Sequence, residues 1–119
     1  MDGRVSVTKA YTLKDDGFAA DWTILNSGET PLAFVFGSEW NLYQIPSELA
    51  LDGPRASLCG GRLRFQADGG AGLRAFPIET LSQSEKGYDI IHQGFCLLAL
   101  WPVALRPGEA FRAGISFGE

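Results

Sequence analysis

Six residues in this chain have types and spacing suited to holding a polar ligand. Glu39, Asn41 and Tyr43 form one group, and Glu79, His92 and Gln93 form another. Carboxylates and amides present planar acceptors and donors that match the vicinal hydroxyls of a sugar. A tyrosine ring adds a flat apolar face on which a sugar's aligned C–H bonds can stack. Glu39, Asn41 and Tyr43 recur at every second position, and an extended strand turns such residues to one side. The alternate positions are Leu32, Phe34, Phe36, Trp40 and Leu42. The polar row is therefore expected to face away from the core, as a ligand surface or, more plainly, as a solvated sheet face.

The second group lies in FPIETLSQSEKGYDIIHQGF, residues 76–95. Glu79 and Gln83 share one parity there, and Thr80, Ser82 and Ser84 the other. SQSEKG has turn chemistry, so its hydroxyls are also suited to capping local backbone amides. A hairpin folded about SEKG would set His92 opposite Thr80 and Gln93 opposite Glu79. A lone histidine at such a place is usually a satisfied core or edge residue. Anomer interconversion of mutarotase type needs a general acid and a general base on either side of a sugar ring. His92 with Glu39 or Glu79 has the right chemistry, and these three are the catalytic candidates if the chain is an enzyme. Glycoside hydrolysis needs two carboxyls about 5–9.5 Å apart, and nothing in the spacing holds such a pair. The chain has no nucleophile elbow, phosphate-cradling loop or metal-ligand cluster. The expectation is a chain without catalytic residues, cofactor or metal.

The elements that must position these residues have a period of two, not 3.6. Val5, Val7, Tyr11 and Leu13 share a parity in the first strand, with Lys9 breaking the row. KDDG at 14–17 reads as a hairpin turn with Gly17 supplying positive φ. Phe18, Ala20, Trp22 and Ile24 define the inner face of the next strand, NSGETP turns, and a long strand follows through Tyr43. The pattern loosens from Pro46 to Gly72. SELALDG suits a helical turn or a strand there, short strands fit Ala56–Cys59 and Arg62–Gln66, and ADGGAG reads as a flexible loop. Extended structure resumes at Leu73–Leu81 and at Tyr88–Trp101. Residues 95–100 are apolar on both parities, which predicts cover on both sides. RPGE then turns into a last strand, Phe111–Phe117. Trp22 and Trp40 fall on core parities. Trp101, before Pro102, is expected at a strand end, partly exposed or packed on a neighbouring domain. Successive strands joined by Gly, Pro and Asp turns predict an all-β antiparallel sandwich.

The chain's 119 residues suit a single domain, 1–119. Its net charge of −4 and scattered Lys and Arg argue against nucleic acid and against an anionic membrane surface. The most apolar stretch, residues 94–105, falls short of the roughly 20 residues a spanning helix needs. MDGRVSVTKAYTL lacks the pattern of a secretory signal. Cys59 and Cys96 have no metal-ligand spacing and read as free thiols, a Cys59–Cys96 bridge being the alternative. A cytoplasmic location is expected.

Three blocks of the chain carry a family resemblance: VTKAYTL, FAADWTILNSGETPLAFVFGSEWNL and FPIETLSQSEKGYDIIHQGFCLLALWPVALRPGEAF. As an ordered set they resemble the C-terminal β-sandwich that follows the catalytic barrel in glycoside hydrolase family fifty-seven α-amylases and 4-α-glucanotransferases. The most specific pieces are Glu-Trp-Asn-Leu at 39–42, Ile-Glu-Thr-x-Ser-x-Ser-Glu-x-Gly-Tyr at 78–88, and Gln93-Gly94. The resemblance runs from Val7 to Ser116, the middle from Pro46 to Gly72 excepted. It implies a supersandwich akin to galactose mutarotase, with a concave face for sugars, and a role in α-glucan metabolism. The family's catalytic carboxylates lie in the barrel, so none is carried over. The family's sandwich is also longer, and this chain resembles its second half, as a stand-alone module or a piece of a longer chain.

Three functional readings follow. The first is a non-catalytic module that binds α-glucan or supports a glucan-processing catalytic barrel. The second is a mutarotase-like enzyme, and the third a structural domain that docks on another protein.

Overall fold

The computed structural model describes residues 4–43 and 49–119, with the side chains of Ser82 and Ser84 left aside. Nine strands follow in order: β1 (Val5–Lys14), β2 (Gly17–Asn26), β3 (Leu32–Tyr43), β4 (Leu49–Asp52), β5 (Arg55–Leu58), β6 (Leu63–Asp68), β7 (Gly72–Ser84), β8 (Gly87–Leu105) and β9 (Ala110–Gly118). They form a six-stranded sheet, β1-β2-β9-β6-β5-β4, and a three-stranded sheet, β3-β8-β7, with every pairing antiparallel. The all-β antiparallel class expected from the alternation is the class observed.

The core forms where the two inner faces meet. Trp22 packs on Phe36 and Trp101, while Trp40 packs on Phe18 and Phe65. Ring centroids in these pairs lie 5.3–6.4 Å apart, the range in which tilted and edge-on aromatics attract. Trp101 is fully buried and donates its indole N–H to the Asp68 carbonyl, in contrast to the partly exposed strand end expected for it. Its strand continues through Pro102 to Leu105. Pro102 is tolerated because β7 begins opposite Leu100, so only β3 flanks β8 there. At the far end, buried Asn26 ties three segments together. Its amide donates to the Thr30 and Leu105 carbonyls, and its carbonyl oxygen accepts from the Gly28 N–H.

Several local expectations are corrected. SQSEKG is mostly strand, since β7 runs to Ser84, β8 starts at Gly87, and Glu85-Lys86 alone make the turn. Of the two readings of SELALDG, the strand is the one observed, over Leu49–Asp52; Ser47 and Glu48 lie outside the described residues. Gly17 has no positive φ; a side chain there would instead overlap the Phe117 carbonyl oxygen on β9. Strand β8 is covered on one side only. Leu97, Ala99 and Trp101 are buried, but Cys96, Leu98 and Leu100 stay half-exposed on an outward face that no other sheet covers among the described residues.

β7 and β8 extend past the sandwich as a hairpin arm. Gly94 pairs with both Tyr43 and Ile78, and a Cβ there would overlap the Leu42 carbonyl oxygen. Directly beyond it the register slips at a β-bulge between Ile78 and Glu79. None of residues 78–94 belongs to the core cluster.

Candidate functional site

Strand pairing extends the Glu39–Asn41–Tyr43 row into a grid on the outward face of the small sheet. Glu39 is level with Leu98 and Arg74, Asn41 with Cys96 and Phe76, and Tyr43 with Gly94 and Ile78. Glu39, Asn41 and Tyr43 are exposed, as the alternation predicted; Tyr43 keeps 60 % of its surface in solvent and Phe76 50 %. Glycine at position 94 leaves the floor between Tyr43 and Ile78 without a side chain. Two aromatic rings thus flank an amide, a carboxylate and a guanidinium on an open surface. An open depression of about 590 Å³ lies at the other end of β3, lined by Pro31, Leu32, Ala104 and Arg106 among others, and contains none of the candidate residues.

The Cys96 thiol donates to a Glu39 carboxylate oxygen at 3.5 Å. Burial raises the Cys96 pKa above its ordinary value, and the hydrogen bond to Glu39 and its negative charge push the same way. Cys96 and Cys59 are both free, Cys59 lying in a short 3-10 turn after β5.

The second group sits on the arm and does not share this face. Paired residues of neighbouring strands point to the same side, so Glu79 and His92 are neighbours on the arm's inner side, with Leu81, Gln83, Tyr88 and Ile90. The expected pairing of His92 with Thr80 and Gln93 with Glu79 is off by one residue. Gln93 is the bulged residue without a ladder partner, and its amide donates to the Thr80 hydroxyl at 3.1 Å. The His92 ring meets Phe95 edge-on at 4.9 Å. Glu39 and His92 accordingly lie on opposite sides of the sheet. Glu79 and His92 stand side by side, not across a ring-sized gap.

Arg74 and Phe76 were missed because β7 reads as a separate strand until its register on β8 is known. The signal that could have found them is their own parity: Arg74, Phe76 and Ile78 alternate with Leu73, Ala75 and Pro77.

The geometry defines an all-β module whose small sheet has a solvent-exposed outward face. Residues 53–115 match the family model described as alpha-amylase/4-alpha-glucanotransferase, C-terminal, which includes most of the middle segment left out of the resemblance. The chain belongs to this family of C-terminal domains. It is 36% identical over 107 residues to a 4-alpha-glucanotransferase of Thermococcus litoralis, covering 82% of this chain and 16% of that protein. An alpha-amylase of Pyrococcus horikoshii is 33% identical over 104 residues, covering 83% of this chain and 16% of that protein. The crystal structure of the Thermococcus litoralis 4-alpha-glucanotransferase superposes with a TM-score of 0.73 at 30% identity, over 97% of this chain and 18% of that one. The chain therefore spans less than a fifth of these relatives. No helix among the described residues is long and apolar enough to cross a membrane.

Proposed function

We propose that this chain is a non-catalytic accessory sandwich of glucan-processing enzymes, and that it holds α-glucan on the outward face of its small sheet. The observation that carries the reading is the exposed Glu39–Asn41–Tyr43 row, widened by Phe76 and Arg74 across two strands. Tyr43 and Phe76 supply faces for stacking, and the polar groups between them suit pairs of sugar hydroxyls. An open surface of this kind fits weak, chain-length-dependent binding, with Kd about 1 mM or about −4 kcal/mol. Isothermal titration with maltotriose and maltoheptaose tests it. Heat that saturates in the millimolar range and falls at least about fivefold in affinity for Tyr43→Ala supports the reading; no heat with either sugar overturns it.

Support of a catalytic domain is the second reading. It is favoured by apolar side chains left in solvent on strands that pair normally, including Leu13 at 87 % and Ile90 at 70 % exposure.

A further inference from the structure

The two sheets differ in width, and the shortfall falls on one side. The β1 residues Val5, Val7, Lys9, Tyr11 and Leu13 pair with Asn26, Ile24, Trp22, Ala20 and Phe18 of β2. Those β2 partners face the core, so the β1 row faces inward too. Yet every residue of β1 is exposed. The ring contacts of Phe36 with Trp22 and of Trp40 with Phe18 place β3 over β2, where the cover ends. Among the described residues, β3 has β8 on one flank and no strand on the other. One more strand beside β3, about 4.8 Å away, would lie about 10 Å above β1 and close the sandwich there.

Lys9 sets the chemistry of whatever fills this place. Its ammonium lies 4.6 Å from the centre of the Tyr11 ring and 5.6 Å from that of Trp22, in the middle of an otherwise apolar row. An inward-pointing charge beside an open edge discourages indiscriminate strand pairing. Covering it with apolar atoms alone would leave a buried unpaired cation. A strand with apolar residues at alternate positions and a carboxylate opposite Lys9 satisfies both demands.

We propose that the free edge of β3 above the β1 row is a strand-addition site. It is filled by an extended, acid-bearing segment of an amylase- or glucanotransferase-type catalytic polypeptide. The family relatives carry about four fifths of their length outside the matched region, which is the polypeptide available to supply such a strand. The inference rests on the accessory role proposed above, and is independent of sugar binding.

The test mixes this chain with the Thermococcus litoralis 4-alpha-glucanotransferase from which the matched region has been deleted. Hydrogen exchange is followed by mass spectrometry. A second arm needs no folded partner and uses the acetylated peptide Val-Thr-Val-Thr-Glu-Thr-Val-Thr-Val, with a version carrying Lys for Glu as control. The expected result is new protection in residues 32–43 and 5–14 with the enzyme and with the Glu peptide, and none with the Lys peptide. Val7→Asp, on the inward row, is expected to weaken the complex at least tenfold, and Thr8→Asp, on the other side of β1, to leave it unchanged. A complex that protects the arm or the outward face while β3 exchanges as before overturns this inference and leaves the accessory role standing. Absence of protection in both arms overturns this inference, while the accessory role stands or falls on the sugar titration above. Protection of β3 by self-association of the chain alone also overturns it.

Discussion

Cys96 and Glu39 share the outward face of the small sheet, and their contact makes a prediction about reactivity. The thiolate is the nucleophilic form of cysteine, so a raised pKa slows reaction with a thiol reagent at mildly alkaline pH. Burial is the leading cause and remains in any Glu39 variant; the carboxylate's hydrogen bond and charge do not. Glu39→Gln should therefore lower the Cys96 pKa and speed its modification about twofold at pH 8, read against Cys59 in the same molecule. An unchanged rate would mean that the 3.5 Å contact does not persist in solution. Asn26 is the second residue with outsized consequences. It is fully buried, and its side chain serves two carbonyls and one amide at the junction of β2, the following turn and the end of β8. Asn26→Ala leaves those groups without partners and should cost about 2–4 kcal/mol, measurable as a shift of the urea midpoint. The exposure of Glu39 and Asn41 was legible in the sequence because a single strand's alternation fixes which side its residues face. The partners Arg74, Phe76 and Cys96 were not, because they depend on register between strands far apart in the chain.

At the scale of elements, the β7–β8 hairpin shows where period-two reading stops working. From Gly72–Leu100 to Ile78–Gly94 the pairing is the one implied by the sequence-based hairpin, and beyond it every pair is displaced by one. A bulge leaves hydrophobic alternation almost untouched while exchanging the side on which one strand's residues meet the other's. Glu79 consequently met His92, and Gln93 was left to bond Thr80. The neighbouring Gly94 was the available hint, since an isolated glycine in a strand often marks a bulge or a close backbone approach. Gly94→Ala is predicted to destabilise by about 3 kcal/mol or more. A methyl group there meets the Leu42 carbonyl of β3 and not a movable side chain. Near-wild-type thermal stability for that variant would contradict the described approach of β8 to β3. Turn positions were otherwise readable to within a residue or two. The exception is SQSEKG, where polar composition on an exposed arm imitated a loop.

The whole molecule departs from a compact domain in ways that a count of hydrophobic residues does not reveal. Its radius of gyration is 17.8 Å, against about 13–14 Å for a compact chain of this length, and its extents are 60 × 35 × 23 Å. The arm beyond Gly94 accounts for the long axis, with Leu81, Tyr88 and Ile90 in solvent along one of its sides. The sequence shows these residues, and those of β1, as ordinary strand filling. What the sequence leaves unsaid is that, among the described residues, the small sheet is three strands wide and the large one six, so part of the inner face meets no partner there. Membership of a family whose members here are several times longer gives such uncovered surface a physical setting. The outward face bearing Glu39, Asn41 and Tyr43 lies apart from both apolar rows and is open to solvent.

The central claim is that this open face holds α-glucan without cutting it. Titration of the isotope-labelled chain with maltoheptaose, followed by amide and side-chain NMR shifts and by the state of the sugar itself, tests it most directly. The account predicts shifts concentrated at residues 39–43 and 74–78 with the oligosaccharide intact and its anomers interconverting at the buffer rate. Shifts centred on Glu79 and His92, accelerated anomerisation, or no shifts at several millimolar sugar would contradict it.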